Sequence, residues 1–452
     1  MILALDIGTT KLCALAWNPA AAKVASVHSA PNDATVGGLP SGRHEQDPAQ
    51  VVAGVHALLR NLLADPAVDR AAVTGIAITG QVHGAMLVDG GGEPRTNFIT
   101  WRDQRTAWLV DAANAADPGG PSRTGGPLSG GYGALLLSAW MQDGAIPPGA
   151  KAVSVLDYVA FSLCGVLATE TTHAASWGLV DLRSMDWDAP RIEALGIAGE
   201  ALPPLRPACA PLGPLRAEVA AQFALPASVV VLSPVGDNQA GVIGVAGFEP
   251  GACVVNLGTG GQVSCVRADF AVDPPLETRP MPFGGFLQVG ASLCGGEAYA
   301  ILARFYGDVA REIAGAALTQ EQLYARMNEA AARADAEAGG LGVDTRFGGT
   351  RQDPAVRGAI RGLGVANLTA GNLARAVVTG MVRELADMIR RPGLPPVRKL
   401  FACGNGVRKN PLAADAIARE FGVPCTLSSH REEAAVGAAL CAARSIKIKT
   451  IP

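Results

Sequence analysis

Two stretches of this chain pair an apolar run with a glycine corner that could hold an anion. The first reads Ile2-Leu3-Ala4-Leu5-Asp6-Ile7-Gly8-Thr9-Thr10, and the second, far downstream, Cys253-Val254-Val255-Asn256-Leu257-Gly258-Thr259-Gly260-Gly261. Each ends in a short polar residue and a Gly-Thr corner, then enters another apolar run (Leu12–Trp17; Gln262–Val266). Glycine allows backbone angles at which successive amide N–H groups converge on one anion. Two such corners, on two halves of one chain, would grip a polyphosphate from both sides. Asp6 beside the first corner would repel phosphate unless a cation lay between them. Its functional reading is therefore a ligand for Mg2+ or metal-bound water. Its structural reading is an aspartate that caps a turn. Asn256 holds the matching place in the second copy and adds no charge.

Three further clusters carry polar chemistry. Gly236-Asp237-Asn238 follows the buried run Val229–Val235. A carboxylate there could accept a proton from an alcohol as that oxygen attacks phosphorus, or could simply cap the next helix. Gly80-Gln81-Val82-His83-Gly84 sets one imidazole and one amide between glycines at a strand end. Such groups suit sugar hydroxyls, the alternative being a buried, hydrogen-bonded histidine. Trp101-Arg102-Asp103-Gln104-Arg105 offers an aromatic face and an acceptor for a sugar, or a salt-bridged turn.

The elements that must position these groups alternate β and α, which predicts an α/β layer fold. Residues 2–8 and 12–17 read as a hairpin and 23–30 as a third strand. Asp47-Pro48 opens a helix to about Leu63, with Val51, Val52, Val55, Leu58, Leu59 and Leu62 on one face. Val73–Thr79 and Ala85–Val88 read as strands, Leu135–Met141 and Val155–Leu163 as helices, and Thr169–Trp177 as irregular. Val229–Val235 is a single strand that hands over at Asp237 to a short helix, Gln239–Ala246. In open α/β sheets that edge is where ligands bind. Past Gly247-Phe248-Glu249-Pro250-Gly251 comes a second hairpin at 252–266, a strand near 286–290, and helices near 296–306, 319–335, 372–390 and 411–421. Strand Leu400–Cys403 ends in Gly404-Asn405-Gly406. Two domains follow, 1–245 and 246–452.

Composition narrows the classes. The 452 residues are too many for one ordinary core, and a net charge of −3 leaves no basic footprint for nucleic acid. Nine cysteines stand singly without C-x-x-C, which fits reduced thiols packed as small apolar groups and argues against zinc. No apolar run approaches the ~18–20 residues of a membrane span, and Met1 leads directly into a core strand without a cationic leader; a cytoplasmic protein is expected. The absence of G-x-x-x-x-G-K-[ST], of G-x-G-x-x-G after the first strand and of G-x-S-x-G argues against P-loop, Rossmann and α/β-hydrolase chemistry.

Taken in order along the chain, these segments resemble the FGGY carbohydrate kinases, within the wider actin/hexokinase-like ATPases. The resemblance runs from Asp6-Ile7-Gly8-Thr9-Thr10 and Glu45-Gln46-Asp47 through Gly80–Gly84, Trp101–Arg105, Asp157-Tyr158, Gly236–Asn238 and Asn256–Gly260. It ends at Cys403-Gly404-Asn405-Gly406 and Ala434–Ala439. It implies two actin/hexokinase-like (ribonuclease H-like) α/β domains with a cleft between them, ATP and Mg2+ as cofactors, and a small sugar as substrate. Nucleic acid and membrane are not implied as partners, and a homodimer is one candidate assembly. Residue by residue, it implies that Asp6 holds Mg-ATP with Gly8, Thr9 and Thr10 near its phosphates. Gly258, Thr259 and Gly260 would form the second phosphate hairpin, with Gly404 and Asn405 near adenine. Asp237 would be the general base, and Val82, His83, Asp103 and Asn238 would contact the sugar.

Within the family, Gln81-Val82-His83 is similar to the ketose kinases. Thr172-His173-Ala174-Ala175-Ser176-Trp177-Gly178 stands where xylulose kinases usually carry Ser-Asp, and is most similar to sedoheptulose kinases. The resemblance thus implies phosphorylation of a primary hydroxyl of sedoheptulose, with D-xylulose as the alternative. A non-catalytic actin-like nucleotide switch is the alternative of another class; the presence of both Asp6 and Asp237 favours chemistry.

Overall fold

Alternating apolar residues make Ile2–Ile7 and Lys11–Asn18 an antiparallel hairpin, to which Lys23–Pro31 adds a third strand. On the other side of Ile2–Ile7 lie Gly75–Gly80 and then Val230–Leu232, both parallel. The second half repeats this order. Ala252–Leu257 pairs antiparallel with Gly261–Arg267, which pairs with Phe286–Ser292; Lys399–Cys403 and Cys425–Leu427 follow in parallel on the far side. The two glycine corners therefore occupy equivalent places in two sheets of like topology, as the paired hairpins predict. This computed structural model describes residues 1–350, 353 and 355–449, except the side chains of 447–449.

Each sheet has its own core. Leu3, Leu5 and Ile7 pack with Val51, Val55, Leu58, Leu59 and Leu62 of helix Pro48–Ala64, which Asp47 caps through the amides of Ala49 and Gln50. Val255 and Leu257 pack with Val377, Met381 and Leu385 of helix Ala370–Ile389. A third cluster joins the lobes. Ile2, Ala4, Cys13 and Leu15 of the first sheet meet Ala240 and Ile243 of helix Asp237–Ala246. They also meet Val436, Ala439 and Ala442 of helix Glu433–Lys449, which follows the second sheet. Helix Asp237–Ala246 in turn buries Val242 against Val254, Leu287 and Val289 of the second sheet. Each lobe thus supplies a helix to the seam between them.

Several local expectations change. Thr171–Ser176 is a helix rather than an irregular stretch; Glu170 caps it, and neither a six-residue helix nor a glutamate cap leaves a periodic signal. The run 229–235 is split into Val230–Leu232 and Val235–Gly236, because Pro234 has no N–H for the ladder. Helix Glu433–Lys449 carries small residues on several faces, since it lies between the lobes, and so shows no single apolar stripe. Cys253 and Cys265 sit directly opposite each other in the second hairpin and are joined as a disulfide, so the expectation of reduced thiols throughout gives way at this pair. Among the described residues, no helix is long and apolar enough to cross a membrane.

Candidate active site

Strand parity places Asp6. Ile2 and Ala4 face the seam between the lobes, so Asp6, two residues on, faces the same way at the strand's C-terminal end. Gly75–Gly80 runs parallel beside it, with Asp6 opposite Thr79 and Ile7 opposite Gly80. Gly80 has φ +150°, and a β-carbon there would lie 2.3 Å from the Ile7 carbonyl oxygen, so the turn into Gln81-Val82-His83 requires glycine. Val235–Gly236 pairs with Thr79–Gly80 on the other side and delivers Asp237 at the same edge. Three neighbouring strand ends thus converge on one cavity of about 560 Å3, lined by Asp6, Gly8, Thr9, Val82, His83, Asp237 and Asn238.

Both carboxyls in this cavity are raised above the ordinary aspartate value. Surrounding protein, and then the charge of Asp237, push the Asp6 carboxyl up to about 7, with Lys11 opposing and Glu432 adding to the rise. Asp237 is also raised, chiefly by desolvation, with the Arg279 guanidinium and the Asn238 amide pulling the other way. A cation beside Asp6 would relieve both effects. Among the described residues, no group of three or more His, Cys, Asp or Glu side chains could hold a metal. The donor set therefore fits an ion that draws most of its ligands from phosphate and water, as Mg2+ commonly does.

Second contacts hold the first. Thr9 Oγ1 donates to Gln81 Oε1 at 3.0 Å and accepts the Trp101 indole N–H at 3.0 Å. His83 has φ +76°, its ring stacks on Tyr132 at 4.6 Å between centroids, and Nδ1 lies 2.7 Å from the Ser176 carbonyl oxygen. In the neutral ring Nδ1 must donate to that carbonyl, so Nε2 is the acceptor nitrogen. Asn238 donates to Gln262 Oε1 at 2.8 Å and Ser264 Oγ at 3.1 Å, bridging helix Asp237–Ala246 to the second sheet, while its Oδ1 is buried without a partner.

A second cavity of about 1090 Å3 is lined by Asn256, Gly258, Thr259, Gly404 and Asn405, and shares Asn256, Arg431 and Glu433 with the first. Gly404 has φ +91°, with a would-be β-carbon 2.4 Å from Asn256 Oδ1. An elongated ligand could therefore run from Gly404 past the second hairpin to Asp237, as ATP requires.

Three residues expected to make contacts lie outside the cavity linings. Asp103 is 1% exposed and does not line the cavity. Its Oδ1 accepts from the Arg105 amide and Nε, and its Oδ2 from the His44 amide and Arg105 Nη2, each at 2.8 Å. The salt-bridged turn wins because Arg105 closes back onto a carboxylate two residues away; Trp101, from the same cluster, reaches the cavity instead. Thr10 is exposed and outside the cavity lining. Gly260 lines neither cavity; its carbonyl accepts from Gly258 N at 3.0 Å, and it packs against Gly295, where a β-carbon would lie 2.3 Å from Gly260 C.

Other cavity residues were not anticipated. Lys11 lines the first cavity and bonds Glu432 Oε2 at 2.6 Å across the lobes. Parity had the information, because Lys11 shares a strand face with Cys13, the partner of Asp6. The same count finds Gln262, opposite Asn256, and Ser264, opposite Val254. Arg279 left no signal: strand Glu277–Pro280 is brought to the site by the sheet alone.

Known proteins resemble this chain along almost its whole length. The N-terminal domain of the FGGY family of carbohydrate kinases matches residues 1–244, and its C-terminal domain matches residues 253–446. A glycerol kinase of Gloeobacter violaceus is 27% identical over 98% of this chain and 87% of its own length. A human sedoheptulokinase is 26% identical over 97% of this chain and 96% of its own length. The crystal structure of a xylulose kinase from Rhodospirillum rubrum superposes with a TM-score of 0.86 at 26% identity, covering 98% of this chain and 89% of that one. Matched in both halves and in order, the chain belongs to the FGGY family of carbohydrate kinases.

Proposed function

We propose that this ATP-dependent carbohydrate kinase phosphorylates a terminal primary hydroxyl of a ketose, with sedoheptulose giving sedoheptulose 7-phosphate as the leading reaction. The observation that carries the reading is the single cavity holding Asp6 and Asp237, flanked by Gly8-Thr9 and adjoining the cavity of Gly258-Thr259. Asp237 takes the hydroxyl proton as the sugar oxygen attacks the γ-phosphorus, and the bond from phosphorus to the ADP oxygen breaks. His83 accepts from a sugar hydroxyl and Val82 walls the pocket. Asp6 would hold Mg2+, which when bound with ATP would supply charge neutralisation for the transferred group. Gly8 and Thr9 face the phosphates from one lobe, and Gly258 and Thr259 from the other. Closing the lobes over bound substrates would exclude water that otherwise competes as acceptor.

Support for sedoheptulose comes from Thr172-His173 and from the human relative, which is matched nearly end to end. ADP formation with sedoheptulose, D-xylulose, ribulose, fuculose and glycerol tests the choice. Sedoheptulose is expected to give the highest kcat/KM; a tenfold preference for D-xylulose overturns it in favour of the five-carbon sugar. Slow hydrolysis indifferent to every sugar would instead indicate a nucleotide switch.

The raised carboxyl of Asp237 sets a pH dependence. A base must be ionised, and a raised pKa means protonation at a higher pH than an ordinary aspartate, so activity falls as pH descends through that value. The acid limb of kcat/KM is expected above the usual carboxylate range of about 4. A profile that stays flat down to pH 4 would remove a raised carboxylate from the rate-determining base role.

A further inference from the structure

One short helix stands behind both substrate-facing residues. It spans Thr171–Ser176, and its cap, Glu170, is fully buried. Glu170 Oε2 accepts from Thr172 N at 2.5 Å, while Oε1 accepts from His173 N at 2.7 Å and from the Thr172 hydroxyl at 2.8 Å. Having committed its proton to Glu170, Thr172 Oγ1 accepts the N–H of Gly236 at 2.9 Å. Gly236 is the residue before Asp237. The junction is tight: a β-carbon on Gly236 would lie 2.8 Å from Gln239 Oε1 and 3.1 Å from Val82 Cγ1.

The other end of the same helix holds His83. Ser176 Oγ donates to His173 O at 2.6 Å and accepts from His83 N at 3.0 Å. The Ser176 carbonyl meets His83 Nδ1 at 2.7 Å. A non-glycine residue at φ +76° needs outside contacts to keep it there, and Ser176 provides two.

We propose that Glu170, Thr172 and Ser176 are positioning residues for phosphoryl transfer: the chain Glu170–Thr172–Gly236 fixes Asp237 against the acceptor hydroxyl, and Ser176 fixes His83 against the sugar. This rests on the reading of Asp237 as the base. The geometry makes the two ends separable. Loosening Gly236 displaces a group needed in the transition state and lowers kcat, whereas loosening His83 weakens ground-state sugar binding and raises KM.

The test uses the full chain, ATP, and the sugar with the highest wild-type turnover, with kcat expressed per ATP-binding site so that misfolded protein does not count. Thr172→Val is expected to lower kcat about 10- to 100-fold, the scale of an ångström-sized misplacement, with the sugar KM within threefold. Thr172→Ser, which keeps the hydroxyl, is expected to stay within threefold of wild type, and Glu170→Gln to follow Thr172→Val. Ser176→Ala is expected to raise the sugar KM about tenfold with kcat nearly unchanged. ATP affinity should move in none of them. If Thr172→Val does not fold, Thr172→Ala against Thr172→Ser carries the same comparison. A kcat within threefold of wild type for the variant lacking the hydroxyl, or failure of serine to restore it, overturns the proposal. Asp237→Asn is measured alongside. If it stays active, the base reading has failed; if it is inactive while Thr172→Val is normal, only the positioning inference has failed.

Discussion

Asp237→Ala is expected to lower kcat by ~10³ or more while ATP affinity changes by no more than a few-fold. Asp237 lines the first cavity, apart from Gly404 and Asn405 in the adjoining one, so its loss leaves the contacts proposed for adenine intact. It begins helix Asp237–Ala246, whose seam contacts come from Ala240, Val242 and Ile243 rather than from Asp237. Folding should therefore survive the substitution. Removing the carboxylate also removes one of the charges that raise Asp6, so nucleotide binding in the presence of Mg2+ should hold or improve. Titration calorimetry with ATP, beside coupled measurement of ADP formation, separates the two quantities. Near-normal turnover would take Asp237 out of the mechanism, and a parallel loss of ATP binding would show a structural role.

Gly437→Ala is expected to cost about 3 kcal/mol or more, lowering Tm by roughly 3–6 °C. A β-carbon at Gly437 would lie 1.7 Å from the Ala240 carbonyl oxygen and 2.8 Å from Gly244 N. Across the same crossing, one at Gly244 would lie 1.8 Å from the Glu433 carbonyl oxygen. All these neighbours are backbone, so no rotamer change relieves the clash and the helices must separate. Because helix Asp237–Ala246 begins with the proposed base, separation also moves Asp237 relative to Asp6, and activity should fall with stability. Gly241 is the control: it lies in the same helix, a β-carbon there meets nothing within 4 Å, and Gly241→Ala should be neutral or stabilise by about 0.5–1 kcal/mol. Differential scanning calorimetry of the two variants decides it. A Tm for Gly437→Ala within 1 °C of wild type would mean that the crossing is looser than its contacts imply.

Much of this site is local in origin and was legible before any folding. Asp6 and Gly8-Thr9 can be read because a strand, a turn and a glycine are short-range features, and the second hairpin repeats them. Helix Pro48–Ala64 announces itself by its cap and its apolar stripe. Glu170 illustrates the opposite case. Its own bonds to Thr172 and His173 are local, but the proposed role depends on the amide of Gly236, 64 residues from Thr172, which no local pattern marks.

The residue types and spacings by themselves determined two repeated hairpins, the strand-end placement of Asp6, His83 and Asp237, and the family, because backbone preference and alternation act over a few residues. Only the tertiary structure decided which polar groups reach the cavity. It turned Asp103 inward onto Arg105 and His44, brought Arg279 opposite Asp237, linked Lys11 to Glu432 across the lobes, and set Thr172 under Gly236. Arg105 is a local partner of Asp103, two residues away, but the other partners lie on different elements or in different halves of the chain. A side chain's hydrogen bonds are settled by whichever donor or acceptor the packing of distant elements brings within 3 Å of it, roughly one bond length of reach that no local pattern encodes.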